Sequence, residues 1–155
     1  MRDLSTSTTV TVAASCYHNP TPFTTNGSSL SGDGRYLAYS CNDRGAAADD
    51  TDLSNDLFVW DRTTGTSLLI TSGLDGREVM SDPSISDDGR FVAFSYRRPG
   101  PGNTAGTYLW DRTAGRSTRI APFLSDVAVS GDGSTVAFTG SQANTDLYVW
   151  DNPAA

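Results

Sequence analysis

The residues best suited to chemistry are the carboxylates of one acidic segment, DDTDLSND, at positions 49–56. Asp50, Asp52, Ser54 and Asp56 place side-chain oxygens at alternate positions, as the first half of a calcium-binding loop does. The glycine of the sharp turn and the distal bidentate Glu that complete such a loop are missing. We interpret the segment as a solvated acidic loop, with a calcium site at Asp50, Asp52 and Asp56 as the alternative.

A second candidate is Tyr96-Arg97-Arg98, the only local cluster of cations. Two adjacent guanidinium groups can hold a carboxylate or a phosphate through paired hydrogen bonds. The favoured interpretation is a solvated Arg pair that stacks on Tyr96, with the ligand contact as the alternative. His18, the single histidine, also lies in a long loop, so Tyr96, Arg97, Arg98 and His18 are the predicted ligand contacts.

Catalytic chemistry has little support. The chain has one His, one Glu (Glu78) and no Lys, and it contains no nucleophile elbow, zinc-protease helix motif or phosphate-binding loop. Nothing around His18 indicates a nucleophile for a catalytic triad. We predict that the chain is not an enzyme and assign no catalytic residue.

The candidate residues are positioned by a repeat. Three segments align without gaps: LSGDGRYLAYS at 30–40, ISDDGRFVAFS at 85–95 and VSGDGSTVAFT at 129–139. Each has a polar turn ending in Asp-Gly before alternating apolar residues. Asp-Gly in this setting predicts a β-hairpin with a two-residue turn.

A second motif follows each of these: DLFVWDRTTG at 56–65, GTYLWDRTAG at 106–115 and DLYVWD at 146–151. The first two predict hairpins, whereas the third stops at its turn. RDLSTSTTVTVA at 2–13 aligns with the missing part and places Asp3 beside Asp61, Asp111 and Asp151. We therefore predict twelve strands, four (A to D) per repeat. Strand D is at 2–13, complete repeats are at 28–71 and 82–121, and strands A to C are at 125–151.

The repeat resembles that of the TolB-like (WD-like) β-propellers, an S-x-D-G-R-x-L-A-F-S hairpin followed by D-L-Y-V-x-D. The resemblance extends from Arg2 to Asp151, although the Gly-His dipeptide of true WD repeats is missing in every blade. It implies an all-β propeller of four-stranded antiparallel blades, three in this chain. It implies no particular activity, because that fold carries many functions.

The loops differ between the two sides of the predicted propeller. The A–B and C–D turns are tight, whereas the D–A and B–C loops on the other side are long and differ in every repeat. Length variation confined to one face is typical of a binding face, here for a protein, peptide or glycan. The alternative is that these loops vary because packing permits it.

The predicted strands also favour self-assembly. Strand D at the start and strand C at the end leave open sheet edges, which proteins normally pair or cover. Propellers have about four to eight blades, so three blades do not close alone. We expect a homodimer forming one six-bladed ring, in which each strand D completes the last blade of the other chain. A larger ring, or a fragment of a longer propeller, is the alternative.

Composition limits the partners. The net charge of −7 and the pI of about 4.4 argue against nucleic acid and anionic membrane surfaces. Two cysteines, Cys16 and Cys41, favour free thiols, with a bridge as the alternative in an extracellular protein. We expect a soluble protein, and the resemblance suggests an extracellular or periplasmic location.

Three functions fit these observations. The first is a self-assembling scaffold that binds a ligand at its long-loop face. The second is the accessory propeller of a larger hydrolase or lyase. The third is a purely structural or engineered half-propeller. No cofactor is predicted, calcium apart.

Overall fold

The computed structural model describes residues 2–3, 8–13, 16, 27–42, 47–48, 50, 54–72, 78–79, 81–97, 105–140 and 146–155. Within these ranges all regular structure is β-strand, in antiparallel sheets, which confirms the predicted all-β class. The central strands are short, nearly continuous apolar runs rich in aromatic residues, a pattern typical of strands that are buried on both faces.

The strands form three blades in chain order. A short hairpin of β1 (Arg2–Asp3) and β2 (Thr8–Thr9) comes first. Blade 1 contains β3 (Ser28–Leu30), β4 (Tyr36–Cys41), β5 (Asp56–Asp61) and β6 (Thr66–Leu69). Blade 2 contains β7 (Glu78–Val79), β8 (Ser84–Ile85), β9 (Phe91–Arg97), β10 (Gly106–Asp111) and β11 (Arg116–Ala121). Blade 3 contains β12 (Val127–Val129), β13 (Thr135–Thr139) and β14 (Leu147–Asp151).

Two strand predictions need correction, and the described residues hold fourteen strands rather than twelve. β7 lies inside a predicted D–A loop and pairs with β9, as β8 does, so the first strand of blade 2 begins earlier and is interrupted. Residues 2–13 are not one strand, because β1 and β2 pair with each other, with Asp3 opposite Thr8. The predicted alignment of Asp3 with Asp61 is nevertheless correct, because Asp61 pairs with Thr66 in the same way.

The A–B turns are longer than predicted. In blade 1 the Gly34 N–H donates to the Ser31 carbonyl (2.9 Å) and the Ser31 N–H to the Tyr36 carbonyl (2.9 Å), so the loop has four residues. Gly34, with φ of 69°, takes the left-handed position. The prediction of a two-residue turn is wrong, because the side chains of Ser31 and Asp33 also bond to the backbone of this turn and stabilise a longer loop.

Those side chains form a small network. The Asp33 carboxylate accepts hydrogen bonds from the Ser31 hydroxyl (2.7 Å) and the Arg35 N–H (2.9 Å). The Ser31 hydroxyl oxygen accepts one from the Tyr36 N–H (2.9 Å). The same arrangement recurs at Ser86 and Asp88 and at Ser130 and Asp132. The turn is therefore held by its own residues and has nearly the same shape in each blade.

An ion pair joins the two tight turns within a blade. Arg35 donates from Nε (3.1 Å) and Nη2 (2.8 Å) to the two carboxylate oxygens of Asp61. Arg90 and Asp111 form the same paired contact at 3.1 and 3.0 Å. Blade 3 has Ser134 in place of the Arg, so this clamp is present in blades 1 and 2.

The core lies between blades. One cluster joins the side of blade 1 that carries Leu57 and Val59 to the side of blade 2 that carries Phe94 and Tyr108. A second cluster joins the opposite side of blade 2 to blade 3. Blade 2 therefore contributes both faces of its sheet to burial, as expected for an internal blade of a propeller.

The turn carboxylates predict a loss of stability in acid. The carboxyl pKa of Asp61 is lowered from 3.8 to about 2, chiefly by the hydrogen bond from Arg35, and that of Asp132 to about 2, chiefly by the Ser130 hydroxyl. Because the unfolded chain then binds protons more readily than the folded one, this stabilisation is present above pH 3.8 and is lost as the pH falls towards about 2.

We expect the free energy of unfolding, measured by urea titration, to decline between about pH 5 and 2. The decline should be shallower in the double variant Asp61→Asn, Asp132→Asn. An identical slope in the variant and the wild type would contradict this assignment.

Candidate functional site: the long-loop face

The edge of the sheets opposite the tight turns is called the long-loop face here. At this edge the B strands β4, β9 and β13 end and the C strands β5, β10 and β14 begin. The predicted ligand and metal residues that the structure describes lie at this edge: Asp50, Asp56, Tyr96 and Arg97. Side chains near the strand ends therefore decide which groups reach solvent.

Buried hydroxyl groups connect blades 2 and 3 at this face. The Ser95 hydroxyl donates to the Ser125 carbonyl (2.6 Å) and accepts from the Ser125 N–H (2.9 Å). The Thr107 and Ser125 hydroxyl groups lie 2.7 Å apart and share a hydrogen bond. These groups satisfy one another, so they seal the junction rather than offer themselves to a ligand.

Asn55 makes the corresponding connection between blades 1 and 2. The Val79 N–H donates to the Asn55 carbonyl (3.0 Å), and the Asn55 side-chain amide donates to the Val79 carbonyl (3.3 Å). The sequence does not predict these contacts, because isolated Asn and Ser residues form no pattern. The one available signal is that Asn55 stands directly before a C strand.

Two of the four predicted ligand contacts, Tyr96 and Arg97, lie among the described residues. Tyr96 is buried in the core between blades 1 and 2, where its ring meets Tyr108 edge-on at 6.2 Å. Tyr96 therefore has a packing role in this core, and its role as a ligand contact stays a prediction. β9 continues to Arg97, and the alternation along the strand turns Tyr96 inward. Arg97 is half-buried opposite Glu78, and Arg98 and His18 lie outside the described residues.

The two described residues of the predicted calcium site, Asp50 and Asp56, make different contacts. Asp56 lies in β5, and one oxygen of its carboxylate accepts a hydrogen bond from the Thr71 hydroxyl at 2.7 Å. The Asp50 N–H donates to the Ala47 carbonyl, and Asp52 lies outside the described residues. In the described part of the chain, no three Asp, Glu, His or Cys side chains gather at metal-binding range. The calcium site stays a prediction.

Calcium binding by the acidic segment predicts that the melting temperature rises in millimolar Ca²⁺ and falls with a chelator, through mass action. Asp50→Asn should remove the rise, whereas Asp126→Asn, an exposed Asp in another loop, should retain it. Equal melting temperatures in calcium and in chelator would contradict the calcium alternative and support a solvated loop.

Cys16 and Cys41 form a disulfide, so the favoured prediction of two free thiols is wrong. Cys41 ends β4 on the face of blade 1 that points away from blade 2. Val12, Ala13 and Cys16 pack on that face, against a cluster that includes Phe58 and Trp60. The alignment of strands does not reveal this contact, because it joins a loop to a strand end.

The repeated antiparallel blades, with three to five described strands each and packed face to face, have a TolB-like β-propeller fold. Three solved structures show the likeness. TolB from Acinetobacter baumannii aligns with a TM-score of 0.57 and 19% identity over 82% of this chain and 29% of that one. A putative TolB from Agrobacterium tumefaciens aligns with 0.59 and 20% identity over 82% and 42%.

The β-propeller domain of the Trilobed protease from Pyrococcus furiosus, described as having an open velcro topology, aligns with 0.59 and 15% identity over 83% and 38%. This chain thus spans less than half the length of each of these three. At these identities the likeness establishes the fold alone. No protein-family model and no curated protein sequence matches the chain. Across the described ranges, no helix is long and apolar enough to span a bilayer.

Proposed function

We propose that this chain supplies three blades to a closed propeller ring, completed by a second copy, that acts as a non-catalytic binding scaffold. A single observation carries the proposal. Blade 3 exposes a sheet face whose counterparts in blades 1 and 2 are core. Solved propellers of TolB and of a protease support the fold on which it depends.

The exposed face carries Leu147 and Val149, with 71% and 65% of their surfaces accessible. The aligned residues of blade 1, Leu57 and Val59, are 0% and 4% accessible because blade 2 covers them. Large apolar residues in a contiguous exposed face are typical of an interaction surface. A further blade stacked on blade 3 would bury them in the same way.

Blade 1 offers a matching surface. Leu30, on the inner strand, is 47% accessible, whereas its counterpart Ile85 in blade 2 is 7% accessible because it meets blade 1. The outer part of the same face is already covered by Val12. Val12 aligns with Ile70, the residue of blade 1 that packs on blade 2. Val12 therefore covers the outer half of this face of blade 1, which is the half that strand D of a preceding blade would cover.

The two surfaces are complementary. Blade 3 provides inner strands A to C, with β14 bonded to β13 and to no other described strand. Val12 and Ala13 pack on blade 1 at the place where the outer strand D of a preceding blade would lie. Blade 3 of each copy can therefore dock beside residues 8–13 of the other copy. The two contacts are then related by a two-fold axis. Such closed dimers are the commonest oligomers, and the ring would have six blades.

The mass in solution tests this ring. We expect light scattering to give twice the chain mass of 16.4 kDa. Val149→Asp should yield the single-chain mass, because it places a charge in the proposed junction. Leu68→Asp, at an exposed residue of the outer strand of blade 1, is the matched control and should keep the double mass.

A folded wild-type particle with the mass of one chain would overturn the second-copy proposal. It would favour the other candidate, an accessory propeller of a larger hydrolase or lyase, in which blades of a longer chain cover these faces. The likeness to a protease propeller is the observation that favours this candidate.

The proposed ligand is a protein, peptide or glycan held by the variable loops of the long-loop face. We place this scaffold in an oxidising compartment, the periplasm or the extracellular space, because the Cys16–Cys41 disulfide persists there. Binding of the ring to a peptide and glycan array tests the scaffold role. Retained binding after substitution of Arg97 with Ala would remove that residue from the proposed binding face.

A further inference from the structure

We infer that the Cys16–Cys41 disulfide is a redox latch for ring closure. The inference rests on the proposed two-copy ring and adds a means of regulating it. The bond fastens the segment that stands in for strand D to the blade on which it lies. Its reduction would release the segment that blade 3 of the second copy must join.

The latch joins a surface segment to the body of blade 1. Cys41 is fully buried at the end of β4, and Cys16 is partly buried beside the same cluster. Val12 and Ala13, the other described residues of this segment in that cluster, bring only small apolar side chains. Because little apolar surface is buried by these two side chains, the covalent bond is a substantial part of what keeps the segment docked.

The junction between blades 1 and 2 has no disulfide, and aromatic packing stands at the aligned position. The residue aligned with Cys41 is Tyr96, whose ring is buried among Val79, Phe94 and Tyr108. A large aromatic ring thus holds that junction together by packing. Blade 1 has the small side chain of Cys41 at this position. Its disulfide bond to Cys16, rather than aromatic packing, holds the adjoining segment on the blade.

The closing junction would also lack polar contacts present at the internal ones. The Ser29 hydroxyl oxygen accepts the Ile85 N–H of blade 2 (3.4 Å), and Ser84 accepts the Val129 N–H of blade 3 (3.0 Å). Ala128 occupies the aligned position in blade 3 and has no acceptor.

A second contact is present between blades 1 and 2 but not between blades 2 and 3, where Phe91 and Asn152 stand at the aligned positions, and the closing junction would lack it as well. Arg112 donates to the Tyr36 hydroxyl across blades 1 and 2 at 2.6 Å, and its guanidinium lies over the ring. Thr135 replaces that Tyr in blade 3. Closure therefore depends more heavily than internal packing on a segment 8–13 that is already in place.

The chemistry is a two-electron exchange with a dithiol. One thiolate of the dithiol attacks a sulfur of the bond, and the mixed disulfide is then resolved by the second thiolate. The protein gains two thiols, and the dithiol becomes a disulfide. Access is through Cys16, because Cys41 is buried. Pre-organisation of a binding segment lowers the entropy cost of association, and reduction removes that advantage.

The dissociation constant of the ring, measured by analytical ultracentrifugation with and without dithiothreitol, tests the latch. We expect reduction to raise it by about tenfold or more. Cys16→Ser should show the raised constant in both conditions, and circular dichroism should show that it remains folded. Because the reduced wild type makes the same comparison, the test does not depend on the variant folding.

The outcomes separate the two proposals. No dimer in the oxidised wild type would overturn the ring. A dimer with the same dissociation constant in oxidised and reduced protein would overturn the latch and leave the ring standing. A reductant effect that persists in Cys16→Ser would also overturn the latch, since the variant has no bond to break.

Discussion

Each sheet of this chain carries apolar side chains on both of its faces, so each needs a neighbour on both sides. In β5, Leu57 and Val59 point to blade 2, while Phe58 and Trp60 point the other way. The same alternation in blade 2 feeds two separate clusters. A single blade therefore cannot bury its own core. Stability comes from stacking, as in other repeat proteins.

The two edges of the stack have different physical properties. At the tight-turn edge, Ser, Asp and Arg side chains satisfy the backbone of their own turn, and Arg35 and Arg90 join neighbouring turns. The turns at this edge have nearly the same structure in each blade, because their contacts are local. At the long-loop face the strand ends are held by contacts between blades, such as those of Asn55 and Ser125. Loop length can vary there without disturbing the sheets.

The blades are also unequal in ways that a repeat conceals. Tyr96 and Cys41 stand at aligned positions, yet one fills a core by its size and the other is bonded to Cys16. Likewise Leu57 and Leu147 are the same residue in the same strand of two blades, and only the first is covered. Local position determines the direction of a side chain, and the neighbouring blade determines its surroundings.

Most of the strands, their order and the alignment of the blades, including that of Asp3 with Asp61, could be predicted from the sequence. These features follow from a two-residue period and from turns that are held by their own side chains. The tertiary structure decided the burial of Tyr96, the strand β7, the pairing of Asp56 with Thr71 and the Cys16–Cys41 bond. Each of these joins residues distant in the chain, and neither periodicity nor spacing encodes which distant residue will be the neighbour.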